Sequence, residues 1–187
     1  MNKLKINYLS NYFNEFTKLL SLNNNIYDQL IEMHNELLKI KKKKKKVMIF
    51  GNGGSASIAN HFSTDLTKVG KIRSVNCNES NLITCFSNDF GFENWISKSI
   101  EYFGDKGDML ILISSSGNSK NVINACNQAR KSYFSKIITF TGFKSDNRLR
   151  KLGDINLWIN SRNYNFVENI HQILLLSIVD LITKSKF

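Results

Sequence analysis

Apolar residues recur at every third or fourth position through the first part of this chain, the spacing that places them on one face of a helix. The pattern predicts one amphipathic helix over residues 4–20 and a second over residues 24–44. Both precede the first predicted strand and stand outside any alternation of strands and helices. We therefore treat the pair as a candidate surface for packing against a neighbouring subunit.

From residue 47 onward, short apolar runs alternate with segments of helical periodicity. Such runs are typical of strands buried on both faces, and their alternation with helices indicates a parallel sheet covered by helices. The pattern predicts an α/β three-layer sandwich forming a single domain over residues 1–187, with the helix pair in residues 1–46 and the α/β core in residues 47–187. The predicted strands cover residues 47–50, 72–75, 109–113, 136–140 and 155–159, and the predicted helices of the core cover residues 55–69, 81–86, 92–103, 119–131 and 165–184.

Composition places the chain among ordinary globular proteins, with 42% hydrophobic and 22% charged residues. No apolar run approaches the ~18 residues that span a bilayer, and the N-terminal residues lack the apolar core of a signal peptide. We therefore expect a cytoplasmic protein. Its three cysteines, Cys77, Cys85 and Cys126, have no metal-ligand spacing, which favours reduced thiols.

The net charge of +11 depends largely on one lysine run, Lys41 to Lys46, which Lys39 precedes. Lysines at the end of a predicted helix suit the negative end of its dipole, so we interpret the run as a solvated helix end. Binding to nucleic acid or to an acidic surface is the second interpretation. The absence of aromatic residues within the run argues against a nucleic-acid partner.

Two loops of small residues follow two of the predicted strands. Residues Gly51–Ala56 follow strand 47–50, and residues Ser114–Ser119 follow strand 109–113. Each loop leads into a predicted helix, so it exposes backbone N–H groups and hydroxyls in front of the positive end of a helix dipole. Because the carboxyl ends of parallel strands share one edge of the sheet, both loops are expected to hold the same phosphorylated ligand.

The first loop also matches the dinucleotide fingerprint GxGxxA through Gly51, Gly53 and Ala56. That fingerprint needs an acidic residue at the end of the second strand, about 20 residues further on. Here that region reads Val75-Asn76-Cys77-Asn78, and the chain has no room for a separate substrate domain. We therefore expect no nucleotide cofactor.

Several motifs in a fixed order give the chain a resemblance to the sugar isomerase (SIS) domain family, and within it to the phosphoheptose isomerases. They are Gly51–Ala56 (GNGGSA), His61-Phe62, Ser87–Glu93 (SNDFGFE), Ile113–Ser119 (ISSSGNS) and Thr139–Gly142 (TFTG). The resemblance implies a flavodoxin-like five-stranded parallel sheet and a homotetramer with sites between subunits. It implies interconversion of ketose and aldose phosphates through an enediol, with a base moving a proton between C1 and C2, in a pathway that supplies heptose units for surface glycans.

The resemblance also assigns site residues. It implies that serines of the two loops hold the phosphate of the sugar and that two short segments line the sugar itself. The implied phosphate ligands are Ser55, Ser114, Ser115, Ser116 and Ser119, and the implied sugar-lining residues are Asn52, Gly53, Gly54, Asn88 and Asp89.

The acid/base and metal positions are where this chain departs from the family pattern. The family has His then Glu after the GNGGSA loop, where this chain has His61 and Asp65, and Asp shortens the reach by one methylene. A misplacement of about 1 Å can cost on the order of 100-fold in rate. On the last helix the family has Gln, His and His, which correspond here to Glu168, His171 and Leu176.

Leu176 can neither transfer a proton nor bind zinc, which leaves three alternatives. His171 or Glu168 replaces the missing histidine, Asp65 and Glu168 act as a carboxylate pair in a related reaction, or the protein binds a phosphosugar without turning it over. A protein of this third kind, which binds without catalysis, would resemble a replication-initiator-binding branch of the family. A partner subunit could also supply the missing histidine.

We predict an isomerase with Asp65 as base and with Glu168 and His171 as its partners. His61, Asp65 and Glu168 are the residues that could bind a zinc ion.

Overall fold

The computed structural model describes residues 2–184, so Met1 and residues 185–187 of the predicted domain lie outside the described residues. The five strands are β1 Val47–Phe50, β2 Ser74–Val75, β3 Met109–Ser114, β4 Lys136–Thr141 and β5 Ile155–Trp158. The helices are α1 Asn2–Leu20, α2 Asn24–Lys42, α3 Gly54–Lys68, α4 Ser80–Phe90, α5 Trp95–Phe103, α6 Lys120–Lys131 and α7 Tyr164–Thr183. A 3₁₀ turn over Leu149–Lys151 was not predicted from the sequence.

All the strand pairs of the sheet are parallel, in the order β2-β1-β3-β4-β5. This order confirms the predicted α/β class and the flavodoxin-like topology. The strand order reverses direction at β1, whose residues pair with β3 from Val47 with Met109 to Phe50 with Leu112. Ligands of open parallel sheets bind in the crevice at such a switch point, beyond the carboxyl ends of the strands. The loops that follow β1 and β3 therefore lie side by side at that crevice.

Two clusters of buried residues cover the two faces of the sheet, which confirms the three-layer arrangement. Alternate residues of β1 belong to different clusters: Val47 and Ile49 pack with α2, α3 and α7, whereas Met48 and Phe50 pack with α5 and α6. Every residue of β1 and β3 is buried because helices cover both faces. These strands give the two functional loops a rigid base.

The two N-terminal helices differ in how they pack. The predicted apolar stripe of α2, from Ile26 to Ile40, is buried against α7 and β5 of its own chain. This stripe is therefore part of the core of its own protomer, and packing of the helix pair against a neighbouring subunit stays a prediction. Helix α1 has no buried residue and contacts α7 through aromatic rings, with Tyr12 and Phe166 at a centroid distance of 4.6 Å. The large exposed apolar residues of α1 are Leu4, Ile6, Tyr8, Leu9 and Phe13.

Helix α7 is long and apolar enough to cross a membrane by length and composition. This revises the expectation that no apolar segment of the chain is long enough to span a bilayer. The helix contacts α1, α2 and α3, and Ile170, Leu174 and Ile178 are among its buried residues. The buried core helix of a globular protein meets the same criterion, so a single helix of this kind is weak support for a membrane span.

Candidate functional site

The loops that follow β1 and β3 enclose a cavity of ≈ 200 Å³. The predicted meeting of the two loops is thus present in the structure. Part of α7 closes the remaining side. The lining residues are Asn52, Ser55, Ile113, Ser114, Ser115, Ser116, Ser119, Tyr164 and Glu168.

Two helices begin at this cavity. Ser55 lies in the first turn of α3, and Ser119 occupies the N-cap position of α6. The unpaired N–H groups of a first helical turn and the positive end of the dipole make such positions favourable for an anion. Ser114 Oγ lies 3.3 Å from Ser119 Oγ, and within residues 2–184 the buried hydroxyl of Ser115 has no hydrogen-bond partner. Buried polar atoms normally find a partner, so this unpaired hydroxyl is an exception within the loop.

A reciprocal amide pair joins the two loops. Asn52 Nδ2 donates to Asn121 Oδ1 at 3.0 Å, and Asn121 Nδ2 donates to Asn52 Oδ1 at 2.9 Å. Asn121 is buried in the first turn of α6 and was missed by the sequence analysis. Its only signal in the sequence was a polar residue shortly after the loop Ser114–Ser119. The pair fixes the distance between the loops that follow β1 and β3, and this distance limits the size of a ligand that fits between them.

Glu168 is the predicted catalytic residue that the structure places in the cavity. Its carboxylate lies over Gly54, so closely that a Cβ atom at position 54 would overlap the carboxylate oxygens. Glu168 therefore stands at the N-terminal end of α3, where the helix dipole favours a negative charge. Tyr164, one turn earlier on α7, lines the same cavity and was also missed by the sequence analysis.

His171 lies in the core rather than in the cavity, contrary to its predicted role. Its side chain is fully buried, Nε2 donates to the carbonyl of Thr141 at 3.1 Å, and the ring packs edge-on against Phe140. Burial lowers the pKa of His171 to about 4, because water no longer solvates the charged ring. His171 is therefore neutral at neutral pH and out of reach of a ligand in the cavity.

His61 and Asp65 lie on the side of α3 that faces α7, outside the lining of the cavity. Nε2 of His61 is 3.3 Å from Oδ2 of Asp65, and Nδ1 of His61 is 3.3 Å from Nε2 of Gln172. Asp65 follows Gly54 by about three helical turns, or roughly 16 Å along the axis. The structure thus brings His61 and Asp65 together but does not bring Asp65 to the cavity of the same protomer.

Asn88 and Asp89 lie in the last turn of α4, exposed and outside the cavity lining. Asn88 Nδ2 donates to Asp89 Oδ1 at 2.9 Å, and the Cys85 thiol lies 3.7 Å from Asp89 Oδ2. The predicted sugar-lining role of this pair is therefore not met within one protomer.

The residues present do not fit the zinc site that the resemblance implies. Across the described range 2–184, no three His, Cys, Asp or Glu side chains come together as a metal-binding group. His61 and Asp65 are adjacent, but Glu168 is directed toward Gly54 instead of toward them. We derive no chemical step through a metal ion.

The chain is similar to known proteins along most of its length. The sequence profile described as SIS domain matches residues 11–142. A phosphoheptose isomerase of Fusobacterium nucleatum is 36% identical over 159 residues, which cover 81% of this chain and 80% of that protein.

Solved structures agree with this similarity. A phosphoheptose isomerase from Neisseria gonorrhoeae aligns with a TM-score of 0.87 and 26% identity, covering 94% of this chain and 98% of that one. One from Francisella tularensis aligns with a TM-score of 0.88 over 96% of this chain and 98% of that one; at 24% identity this likeness shows the fold alone.

The matched span differs from the motif-based resemblance at both ends. It begins within α1, so the profile includes most of the N-terminal helix pair, whereas the first motif begins at Gly51. It ends at Gly142 and leaves α7 outside. The family match therefore includes the two loops that follow β1 and β3, whereas α7 lies outside it.

Proposed function

This chain belongs to the SIS domain family, and from that membership we propose that it is a phosphosugar isomerase of the phosphoheptose isomerase type. The proposed reaction interconverts a ketose phosphate and an aldose phosphate. The observation that carries the proposal is the cavity in which serines from both loops meet one carboxylate, that of Glu168. Such a cavity offers both an anion site and a proton-transfer group, the two requirements of this chemistry.

The phosphate is proposed to lie on the serine side of the cavity. Ser55, Ser116 and Ser119 offer hydroxyls there, and the first turns of α3 and α6 offer backbone N–H groups. The sugar, rather than the phosphate, is proposed to lie against Glu168, because two negative charges in contact repel each other. This orientation points the carbon chain of the substrate toward the carboxylate.

Glu168 is proposed to transfer the proton between C1 and C2 of the sugar. A carboxylate that removes the proton from C1 of the ketose creates an enediol, and returning the proton to C2 gives the aldose. The hydroxyl protons of the enediol must also move, and Tyr164 is the other ionisable side chain among the residues that line the cavity. This assignment moves the base from Asp65, favoured by the sequence alone, to the carboxylate that faces the serines.

Asp65 is proposed to contribute to a site that forms between protomers of an oligomer. We propose a cytoplasmic homo-oligomer, a tetramer by resemblance to the family, in which the exposed residues His61, Asn88 and Asp89 and the half-buried Asp65 complete a site with a neighbouring protomer. The exposed apolar face of α1 supports association with another copy. The product would supply heptose units for surface glycans, as in the family that the chain resembles.

The experiment is an NMR time course of the purified protein with sedoheptulose 7-phosphate in D₂O. We expect the aldose phosphate to appear with solvent deuterium at C2, because the proton that the base removes from C1 exchanges with solvent before a proton is returned to C2. Turnover that disappears in Glu168→Gln supports the assignment. Binding without turnover, seen as thermal stabilisation by the sugar phosphate, would overturn the isomerase proposal and leave the phosphosugar-binding alternative that Leu176 suggested.

A further inference from the structure

His61 has a protein partner at each of its two ring nitrogens. Gln172 of α7 approaches Nδ1 with its amide nitrogen at 3.3 Å, and Asp65 of α3 approaches Nε2 with a carboxylate oxygen at 3.3 Å. The imidazole is thus held between two helices that lie more than a hundred residues apart in sequence. The amide of Gln172 was not among the predicted site residues.

These partners fix the position of the proton on the ring. The contact with Asp65 is a charge contact: a carboxylate oxygen 3.3 Å from Nε2 favours a proton on that nitrogen. A neutral imidazole has one N–H, which leaves a lone pair on Nδ1, and the amide N–H₂ group of Gln172 donates to that lone pair. Gln172 and Asp65 therefore select the same tautomer, with the proton on Nε2.

This tautomer leaves His61 without a nitrogen for a metal. A histidine ligates a metal through the lone pair of one nitrogen while the other nitrogen donates to a neighbour. In this tautomer the lone pair on Nδ1 accepts from Gln172, and Nε2 carries the proton that faces Asp65. A metal could bind only after the contact with Gln172 had broken or the tautomer had changed.

The neighbouring residues on α7 offer no replacement ligand. Glu168, Gln172 and Leu176 follow one another at intervals of four residues, so they form one stripe along the helix. Glu168 lies about 6 Å before Gln172 along the axis and is directed at Gly54. Leu176, one turn after Gln172, has no donor atom.

We propose that Gln172 is a positioning residue that holds His61 in the Nε2–H tautomer, so that His61 orients Asp65 by a direct contact and the protein has no resident metal. Turnover without a metal rests on the proposed function, whereas the tautomer of His61 depends only on its contacts with Gln172 and Asp65. It makes this chain a metal-independent member of its type, with a glutamine amide in the orienting role.

The first test reads the tautomer of His61 by NMR of protein labelled with ¹⁵N-histidine, at mildly alkaline pH. The chain has only three histidines, so the ring resonances can be assigned by substitution. We expect His61 to show a protonated Nε2 and an unprotonated Nδ1. Gln172→Ala should give a mixture of tautomers, and Gln172→Glu should move the proton to Nδ1, because a carboxylate accepts where the amide donated.

Asn169→Ala is the matched control. This exposed amide on the same helix donates to the carbonyl of Asn165 and does not contact His61. It should leave the His61 resonances unchanged, whereas a general disturbance of α7 would move them in both variants. A wild-type spectrum with the proton on Nδ1, or one that Gln172→Ala and Gln172→Glu both leave unchanged, would overturn the role of Gln172.

The second test measures zinc directly. After incubation with excess zinc and gel filtration, wild-type protein should contain much less than one zinc per chain by mass spectrometry, and Gln172→Glu should retain more. One zinc per wild-type chain, with a shift of the His61 resonances, would overturn the proposal. Both readouts are independent of turnover, so a protein that keeps the tautomer but does not isomerise the sugar would refute the proposed function and not the inference about Gln172.

Discussion

The carboxylate of Glu168 occupies the space that a side chain on residue 54 would need. The start of α3 and the second turn of α7 approach this closely because residue 54 is glycine. The contact holds Glu168 at the mouth of the serine cavity and keeps its charge at the positive end of α3. It therefore joins the anion site to the proposed proton-transfer group.

Gly54→Ala should displace Glu168 and lower turnover by roughly 100-fold, because a catalytic group moved by about 1 Å loses that order of rate. In an unobstructed helix, alanine is more stabilising than glycine by about 1 kcal/mol. Here we expect overlap with Glu168 to outweigh that gain, with a net destabilisation of ~1–2 kcal/mol. Thermal unfolding and steady-state kinetics measure both effects.

The double variant Gly54→Ala/Glu168→Ala provides the control for that prediction. Removing the carboxylate should relieve the overlap and recover the stability lost in Gly54→Ala, since the two residues are in contact and their effects are not additive. If the double variant instead loses as much stability as Gly54→Ala and Glu168→Ala lose together, the contact with Glu168 is not what requires glycine at position 54.

Glu168→Gln should reduce turnover by ~10²–10⁴-fold, the range for loss of a general base, while the amide keeps the shape of the side chain. Binding of the sugar phosphate should be retained or slightly strengthened, since a negative charge near the phosphate is removed. Kinetics together with calorimetric titration separate these effects.

The loss of turnover in Glu168→Gln should be compared with the loss in Asp65→Asn. If the carboxylate of the cavity is the base, Glu168→Gln has the larger loss in turnover. A larger loss in Asp65→Asn would return the role of base to Asp65 and require that the sugar reaches α3 of one protomer or of its neighbour.

Ser119→Ala should weaken binding of a sugar phosphate by roughly 10- to 100-fold, which corresponds to the ~1.5–3 kcal/mol of a hydrogen bond to a charged group. The measurement is the increase in melting temperature with added ligand. Ser177→Ala is the control, because its hydroxyl donates to the carbonyl of Leu174 on α7. An unchanged response in Ser119→Ala would place the phosphate elsewhere.

The buried His171 should make the protein less stable in mild acid. Its folded pKa of about 4 lies below the ordinary value for an unfolded histidine, so the unfolded chain binds more protons between these two values. The contribution to stability is complete above about pH 6.5, decreases as the pH falls, and is lost below about pH 4, a change of about 3 kcal/mol. Denaturant unfolding from pH 8 to pH 4 measures it.

His171→Gln should reduce this dependence on pH, since an amide can still donate to the carbonyl of Thr141 but does not titrate. His34→Gln is the control, because that side chain lies on α2 and its ring contacts the neighbouring Asn35. An equal loss of stability in acid for wild type and His171→Gln would mean that other groups cause it.

The two loops of small residues that follow β1 and β3 could be located from the sequence, because their position depends on local patterns and one general rule. Short apolar runs ending at residues 50 and 113 predicted β1 and β3, and parallel strands must present their carboxyl ends at one edge. The packing of α2 was predicted less well, because an amphipathic stripe shows that one face is covered and not which surface covers it.

The sequence by itself determined the α/β class, the element order and the serine loops, since each follows from spacing along the chain. The tertiary structure alone decided which polar residues of α7 face the cavity. That helix is apolar nearly all round, so its periodicity could not show that Glu168 turns toward Gly54 while His171 turns into the core. The partner of His61 was equally hidden, because Gln172 reaches it only when α3 and α7 pack side by side. Local patterns fix elements, whereas the contacts of a long apolar helix depend on the surfaces that fold around it.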